Sequence, residues 1–297
     1  MTKRAVVVGI NDYTIQFPDG KSNLGGCVND AASAYHLLVD AFGFDPSQTY
    51  YYEDAAASRS TILQALRYIV SVAEPGDVAC FFYAGHGARL PSDPANPNTT
   101  KYYEAIVPAS GDWITDWEIN DIAAGLAPSA VNFTLLLDSC FSGGFHESAP
   151  DLRTRTIDFT QPLIDSMVAN MTTVIPCGVC LPIDATVMNN NVSLVKGNGN
   201  GVVCAVDDNK SLVAQSKSTV LAACRYDEVD IETNGHGALT QGLLDIVNSS
   251  NFSITYTDLV DELRLKVQSH NLIQTPTLLG QENRVTEDFL APWHDCR

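Results

Sequence analysis

Short apolar segments alternate with amphipathic segments through the first 140 residues, and this alternation constrains the fold more than any other feature of the chain. The apolar segments occupy residues 5–10, 49–53, 77–84 and 131–137 and are rich in β-branched and aromatic residues. Strands that are apolar at nearly every position are typical of a parallel sheet buried on both faces. The sequence therefore predicts an α/β fold, with an open, mostly parallel sheet between layers of helices.

Apolar residues at helical spacing predict the helices between these strands. The first helix is predicted to end at Gly43, and the third to begin with a cap at Asp116. The three apolar faces comprise Val28, Ala31, Tyr35, Leu38 and Phe42, then Ile62, Leu66, Ile69 and Ala73, and then Ile119, Ile122 and Leu126.

The region from 148 to 217 has no clean periodicity and includes a Gly/Asn run at 196–201. A long irregular stretch inside a compact domain usually indicates a functional loop or a processed linker. Regular pattern then returns, with a strand at 218–224, a helix through Leu239 and Leu243, a helix capped by Thr255, and a last strand at 275–279.

Charge and composition exclude several classes of function. The chain has 35 acidic and 17 basic residues, a net charge of −18, which repels nucleic acid and anionic membranes and attracts basic peptides and divalent cations. The apolar run near the N-terminus is too short for a signal peptide, and no stretch approaches a membrane span. We therefore expect a cytoplasmic protein whose eight cysteines are mostly buried thiols.

Two of the predicted strands run directly into residues that can do chemistry. Residues 77–84 lead into Gly85-His86-Gly87, and residues 131–137 lead into Asp138-Ser139-Cys140. If these strands are parallel neighbours, His86 and Cys140 emerge side by side at the carboxyl edge of the sheet, where open α/β sheets bind ligands. The spacing predicts a catalytic pair in which Cys140 is the nucleophile and His86 carries the proton. The N–H groups of Gly87 and Cys140 could then form an oxyanion hole.

The motifs around these residues resemble the paired signatures of caspase-like peptidases, and within them of metacaspases. They are Tyr-Ala-Gly-His-Gly at 83–87 and Asp-Ser-Cys-Phe-Ser-Gly at 138–143, with 54 residues between His86 and Cys140. Further matches lie at 8–13, 24–30 and 235–240. The resemblance implies a three-layer caspase-hemoglobinase fold, cysteine endopeptidase activity, and a single domain over 1–297. It divides that domain into a large-subunit region at 1–150, a linker at 151–217 and a small-subunit region at 218–297.

The resemblance also implies the substrate. Metacaspases have an acidic first subsite that selects Arg or Lys before the cleaved bond, and the matching acids are Asp30 and Asp138. Cys27 is expected to line the same pocket. A pair of carboxylates can bind a guanidinium through two hydrogen bonds.

Calcium activates many metacaspases through acidic residues away from the catalytic pair. The matching candidates are Glu104, Asp116 and Glu147, whereas Trp117 stands where relatives often have a second Asp. Because calcium needs several oxygen ligands, this substitution weakens the predicted site, and we expect calcium as an activator rather than as a requirement of the chemistry.

A protease that prefers basic residues could cut its own linker, so self-processing is expected at Arg153, Arg155, Lys196, Lys210 or Lys217. Basic protein or peptide substrates are the expected partners, with a monomeric state. The alternatives are an aspartate-specific caspase, a catalytically silent caspase-fold scaffold and, more remotely, another thiol hydrolase such as an amidase.

Overall fold

The computed structural model describes residues 1–91, 102–126, 131–139, 153–154, 193–196, 203–206, 217–225, 228, 230–233, 235–250, 252–270, 272 and 274–292. The predicted nucleophile Cys140 lies outside these residues, and so does the calcium candidate Glu147. Of the expected self-processing sites, Arg155 and Lys210 lie outside them as well.

A six-stranded sheet forms the centre of the described part of the chain. Its strands are β1 (Lys3–Gly9), β2 (Thr49–Glu53), β3 (Val78–Ala84), β7 (Asn132–Asp138), β11 (Ser218–Ala222) and β14 (Thr277–Leu279). Their order is β14-β11-β7-β3-β1-β2, and every neighbouring pair is parallel except β14 with β11. The six predicted strands are confirmed, with small shifts at their ends.

Helices cover both faces of this sheet. They are α1 (Cys27–His36), α2 (Arg59–Ser71), α3 (Asp116–Ala124), α4 (Ala238–Ser249), α5 (Tyr256–Ser269) and the short α6 (Glu282–Val285). Helices α1, α4 and α5 pack together, and α2 packs with α3. Strands β3 and β7 are buried at every position, and because successive side chains point to opposite faces, both faces must be covered. The layered α/β architecture is therefore confirmed.

Local chemistry sets the helix ends. Helix α1 continues into one wider turn at Leu37–Ala41, and Gly43, with a φ of 67°, follows in the left-handed conformation that commonly terminates helices. The predicted cap at Asp116 is wrong by one residue. The Thr115 hydroxyl accepts the Glu118 N–H, while the Glu118 carboxylate accepts the Thr115 N–H, so Thr115 is the cap. Thr255 caps α5 as predicted.

Three smaller sheets were not predicted. One joins β4 (Gly87–Pro91), β5 (Tyr102–Ile106) and β6 (Ile114–Thr115), and a second joins β8 (Arg153–Thr154), β12 (Ile231–Thr233) and β13 (His236–Gly237). The third pairs β9 (Ser193–Lys196) with β10 (Val203–Val206). The region expected to be irregular thus contains β8, β9 and β10, which are too short to produce a readable periodicity. No helix in the described part of the chain has the length and apolar character needed to cross a membrane.

Candidate active site

His86 lies just beyond the carboxyl end of β3, and its side chain is held by a backbone carbonyl. The residue is 2% exposed, and its Nε2 is 2.6 Å from the carbonyl oxygen of Ser22. A carbonyl oxygen only accepts, so this contact places the proton on Nε2 and leaves Nδ1 as the basic nitrogen of the neutral ring. The Tyr13 ring packs against the imidazole, with 4.6 Å between ring centroids.

Two buried tyrosines fix the backbone of His86. The Tyr13 hydroxyl accepts the His86 N–H at 2.8 Å, and the Tyr83 hydroxyl donates to the His86 carbonyl at 2.8 Å. Burial, followed by the charge of Tyr83, raises the pKa of Tyr13 well above its ordinary value, so the phenol stays neutral. A Cβ on Gly85 would lie 2.5 Å from both hydroxyl oxygens, so only glycine fits between this pair and the histidine.

The register of β3 and β7 relates His86 to Cys140. The strands are parallel neighbours, with Ala84 opposite Asp138. His86 and Cys140 each follow two residues after these paired positions. The condition for the catalytic pair, parallel strands that end at the same edge, is therefore met. The pairing of the two side chains stays a prediction, since Cys140 is outside the described residues.

Gly87 is the first residue of β4, and it pairs with Ile106 of β5. The His86 carbonyl accepts the Val107 N–H at 3.0 Å, so the adjoining Gly87–Ile106 pair falls at a non-hydrogen-bonded place in the antiparallel alternation. There the N–H of Gly87 points away from β5, which is the orientation that an oxyanion donor requires.

The two acids predicted to bind basic substrates lie at the N-terminal end of α4. Both are fully buried. Asp30 accepts the Gly237 N–H at 2.9 Å, and its other oxygen is 2.8 Å from Nδ1 of His236. Asp138 accepts the N–H of Thr240 at 3.0 Å and also its hydroxyl. The positive end of the helix dipole favours carboxylates at this position.

Cys27, predicted to line the same pocket, is the first residue of α1 and is fully buried. Its N–H donates to Oδ1 of Asn11 at 2.9 Å. The substrate-binding roles of Cys27, Asp30 and Asp138 stay predictions.

Two of the calcium candidates lie close together on β5 and α3. Burial and the neighbouring Asp116 raise the pKa of Glu104 to about 7, and Arg89 partly opposes this. Burial raises the pKa of Asp116 to about 6. Trp117 is exposed and beside them in sequence. No group of three or more His, Cys, Asp or Glu side chains able to hold a metal occurs among the described residues.

Sequence reasoning missed several residues of this site. The Ser22 carbonyl and Thr240 act through their three-dimensional placement, which no local pattern reveals. Glu232 of β12 was missed as well, although it is only 5% exposed and its Oε2 accepts the Gly25 N–H at 3.4 Å. A buried acid in a strand that is polar overall carries no signal in the sequence that separates it from a surface acid.

Comparison with known proteins identifies the first half of the chain. A family profile for the metacaspase peptidase C14 domain matches residues 3–149. Metacaspase-4 of Arabidopsis thaliana is 36% identical over 156 residues, covering 51% of this chain and 36% of that protein. Metacaspase-1 of Schizosaccharomyces pombe is 32% identical over 151 residues, covering 48% of this chain and 34% of that protein. The matched stretch thus spans well under half the length of these curated relatives.

Solved structures resemble the whole chain. A protein from Geobacter sulfurreducens has a TM-score of 0.69 at 16% identity, covering 99% of this chain and 100% of that one. Caspase-1 from Spodoptera frugiperda has a TM-score of 0.51 at 10% identity, covering 99% and 91%. At these identities the likeness concerns the fold alone, and it confirms the predicted caspase-like architecture. With the profile match and the sequence relatives, it follows that the chain belongs to the metacaspase, or caspase-like, family of cysteine peptidases.

Proposed function

We propose that the protein is a cysteine endopeptidase that cleaves after Arg or Lys, with Cys140 as nucleophile and His86 as general base and acid. One observation carries the proposal: His86 and Cys140 follow paired positions of two parallel neighbours, β3 and β7. The Ser22 carbonyl supports it further, because it holds the imidazole in the tautomer that a base requires.

The chain's own residues would perform the reaction in two halves. Nδ1 of His86 takes the thiol proton, and the Cys140 thiolate attacks the scissile carbonyl carbon. The resulting oxyanion accepts hydrogen bonds from the N–H groups of Gly87 and Cys140. As the C–N bond breaks, the imidazolium gives its proton to the leaving amine. A water then loses a proton to His86 and attacks the thioester, releasing the acid and restoring the thiol.

The imidazolium formed in the first step has two sources of stabilisation. The Ser22 carbonyl accepts from Nε2, and the face of Tyr13 lies close enough for a cation–π contact. A neutral carbonyl thus does the orienting work that an acid does in catalytic triads.

Selection of a basic residue would depend on Asp30 and Asp138. Their burial beside the first turn of α4 supports this, since both carboxylates are kept charged by N–H donors and lie together at the carboxyl edge of the sheet. An aspartate side chain would meet repulsion there. The net charge of −18 favours approach of basic peptides over longer distances.

Self-processing would occur in the linker. Of the basic residues considered, Lys217 is the least suitable, because its ammonium donates to the carbonyls of Ala124 and Leu126, which holds it against the end of α3. Arg153, Arg155, Lys196 and Lys210 remain the proposed sites. Replacing these four by Gln should leave a chain that stays intact on a gel, whereas continued cleavage within the linker would contradict the proposal.

A calcium ion fits the described residues only in part. The carboxylates of Glu104 and Asp116 are hard ligands, and their raised pKa values reflect negative charges held together away from water. Two carboxylates supply fewer oxygens than calcium takes, so the described residues do not complete a site. No step of the proposed reaction requires the ion.

A peptide panel tests the proposal. Fluorogenic peptides ending in Arg, Lys or Asp should be cleaved by the wild type after Arg and Lys only, and not at all by Cys140→Ala. Cleavage after Asp would favour an aspartate-specific caspase. No cleavage of any peptide, with or without calcium, would favour a silent scaffold.

A further inference from the structure

Strand β12 borders the candidate active site on the side of the small sheet. The Ile231 N–H donates to Oε1 of Gln274, whose Nε2 donates to the Ala223 carbonyl. Ala223 in turn donates its N–H to Leu137 of β7, three residues before Cys140. The other end of β12 reaches the Ser22–Gly26 loop, which also holds His86. A peptide lying along β12 would therefore run towards the predicted nucleophile.

Glu232 of β12 is a buried acid without a compensating cation. It is 5% exposed, and its hydrogen bond from the Gly25 N–H is long, at 3.4 Å. Among the ion pairs of the described residues, none involves Glu232. The carboxylate rests on the glycine loop, since a Cβ at Gly26 would lie 2.2 Å from Oε1. A carboxylate withdrawn from water in this way is costly unless a positive group joins it.

The chain's own strand β8 pairs with β12 beside this acid. The register is antiparallel, with Arg153 opposite Glu232 and Thr154 opposite Ile231. Residues directly opposite each other in an antiparallel pair place their side chains on the same face. The chain therefore has a basic residue at the backbone position from which a side chain can reach Glu232. Strand β8 thus models how an extended peptide would dock on this edge.

We propose that a substrate strand takes the place of β8 on β12, and that Glu232 selects a basic side chain in the residue paired with it. In the β8 register the chain runs from Glu232 towards Ile231 and Asp230, and so towards β7 and Cys140. The selected residue therefore lies two places before the one that is cleaved. The inference rests on the proposed endopeptidase function and adds a second basic position to its substrates, with Glu232 as a specificity-determining residue.

Paired peptides test the inference. The probes are fluorogenic Arg-Ala-Arg and Gln-Ala-Arg peptides, and the readout is the ratio of their kcat/KM values, with active sites counted by an arginyl chloromethyl ketone. The wild type should favour Arg-Ala-Arg about tenfold, as a partly desolvated ion pair would. Glu232→Gln should bring the ratio close to one, and Glu232→Lys should make a Glu-Ala-Arg peptide the better substrate. Glu262→Gln, which removes an exposed acid of α5, is the matched control and should retain the wild-type ratio.

The outcomes separate this inference from the proposed function. Cleavage after Arg with a ratio that is the same in the wild type and Glu232→Gln overturns the role of Glu232 and leaves the endopeptidase assignment standing. Absence of cleavage after Arg in any peptide overturns the proposed function. Thermal unfolding of each variant identifies a change in ratio that merely accompanies loss of the fold, and the charge-reversed variant must redirect the preference, which a damaged site cannot do.

Discussion

Tyr13→Phe tests whether the backbone of His86 must be held for catalysis. The substitution keeps the ring that packs on the imidazole and removes the hydroxyl that accepts the His86 N–H at 2.8 Å. Tyr83 keeps its contacts with the carbonyls of His86 and Val107, so the His86 N–H is the main buried group left without a partner. An unsatisfied buried donor costs about 1–3 kcal/mol, and we expect a loss of about 2 kcal/mol in the free energy of unfolding.

The assay combines denaturant unfolding with steady-state kinetics on an Arg peptide. We expect kcat to fall about tenfold while KM changes little, because a displaced histidine affects the reacting geometry more than binding. Tyr256→Phe is the control: its buried hydroxyl also accepts a backbone N–H, that of Leu290, at 3.2 Å, but far from His86 in the sheet order. It should lose similar stability with kcat unchanged. Equal effects of the two variants on kcat would refute the positioning role of Tyr13.

Three further predictions concern the surroundings of the site. Gly85→Ala should lower both kcat and the melting temperature, since its Cβ would meet the hydroxyls of Tyr13 and Tyr83 at 2.5 Å; an active, fully stable variant would contradict the packing. Glu104→Gln should leave stability unchanged near about pH 5 and raise the free energy of unfolding by about 1–2 kcal/mol at about pH 8, measured with a chelator present. The sign follows because a folded-state pKa raised from 4.5 to about 7 lets the wild type lose stability as pH rises through that range. Asp138→Asn should lower kcat/KM for Arg peptides more than tenfold and reduce stability by about 1 kcal/mol through the α4 dipole; an unchanged preference for Arg would exclude Asp138 from the subsite.

The sheet could be predicted because burial leaves a direct record in the sequence. Strands β3 and β7 are apolar throughout since both of their faces are covered, and this pattern distinguishes them from helices and from surface strands. Their parallel pairing was also foreseeable, because residues with chemical function follow both. The prediction that His86 stands at the carboxyl edge depended on that logic alone.

The contacts that orient the site could not be read in this way. Ser22 contributes a backbone carbonyl, which is independent of residue type, and Glu232 meets Gly25 across 207 positions of sequence. The acids Asp30 and Asp138 were found through a motif, but their binding to the start of α4 depends on how distant segments pack. The hairpin of β4 and β5 was missed because Gly87 and its neighbours were assigned to a catalytic turn rather than to a strand.

Covalent labelling tests the central claim, a catalytic pair of Cys140 and His86, most directly. The purified protein is treated with an arginyl chloromethyl ketone at neutral pH, and the modified peptide is identified by mass spectrometry in the wild type and in His86→Ala. The account predicts modification of Cys140 alone, at a rate at least about a hundredfold lower without His86. Modification of another cysteine, or labelling of Cys140 at the same rate in both proteins, would contradict it.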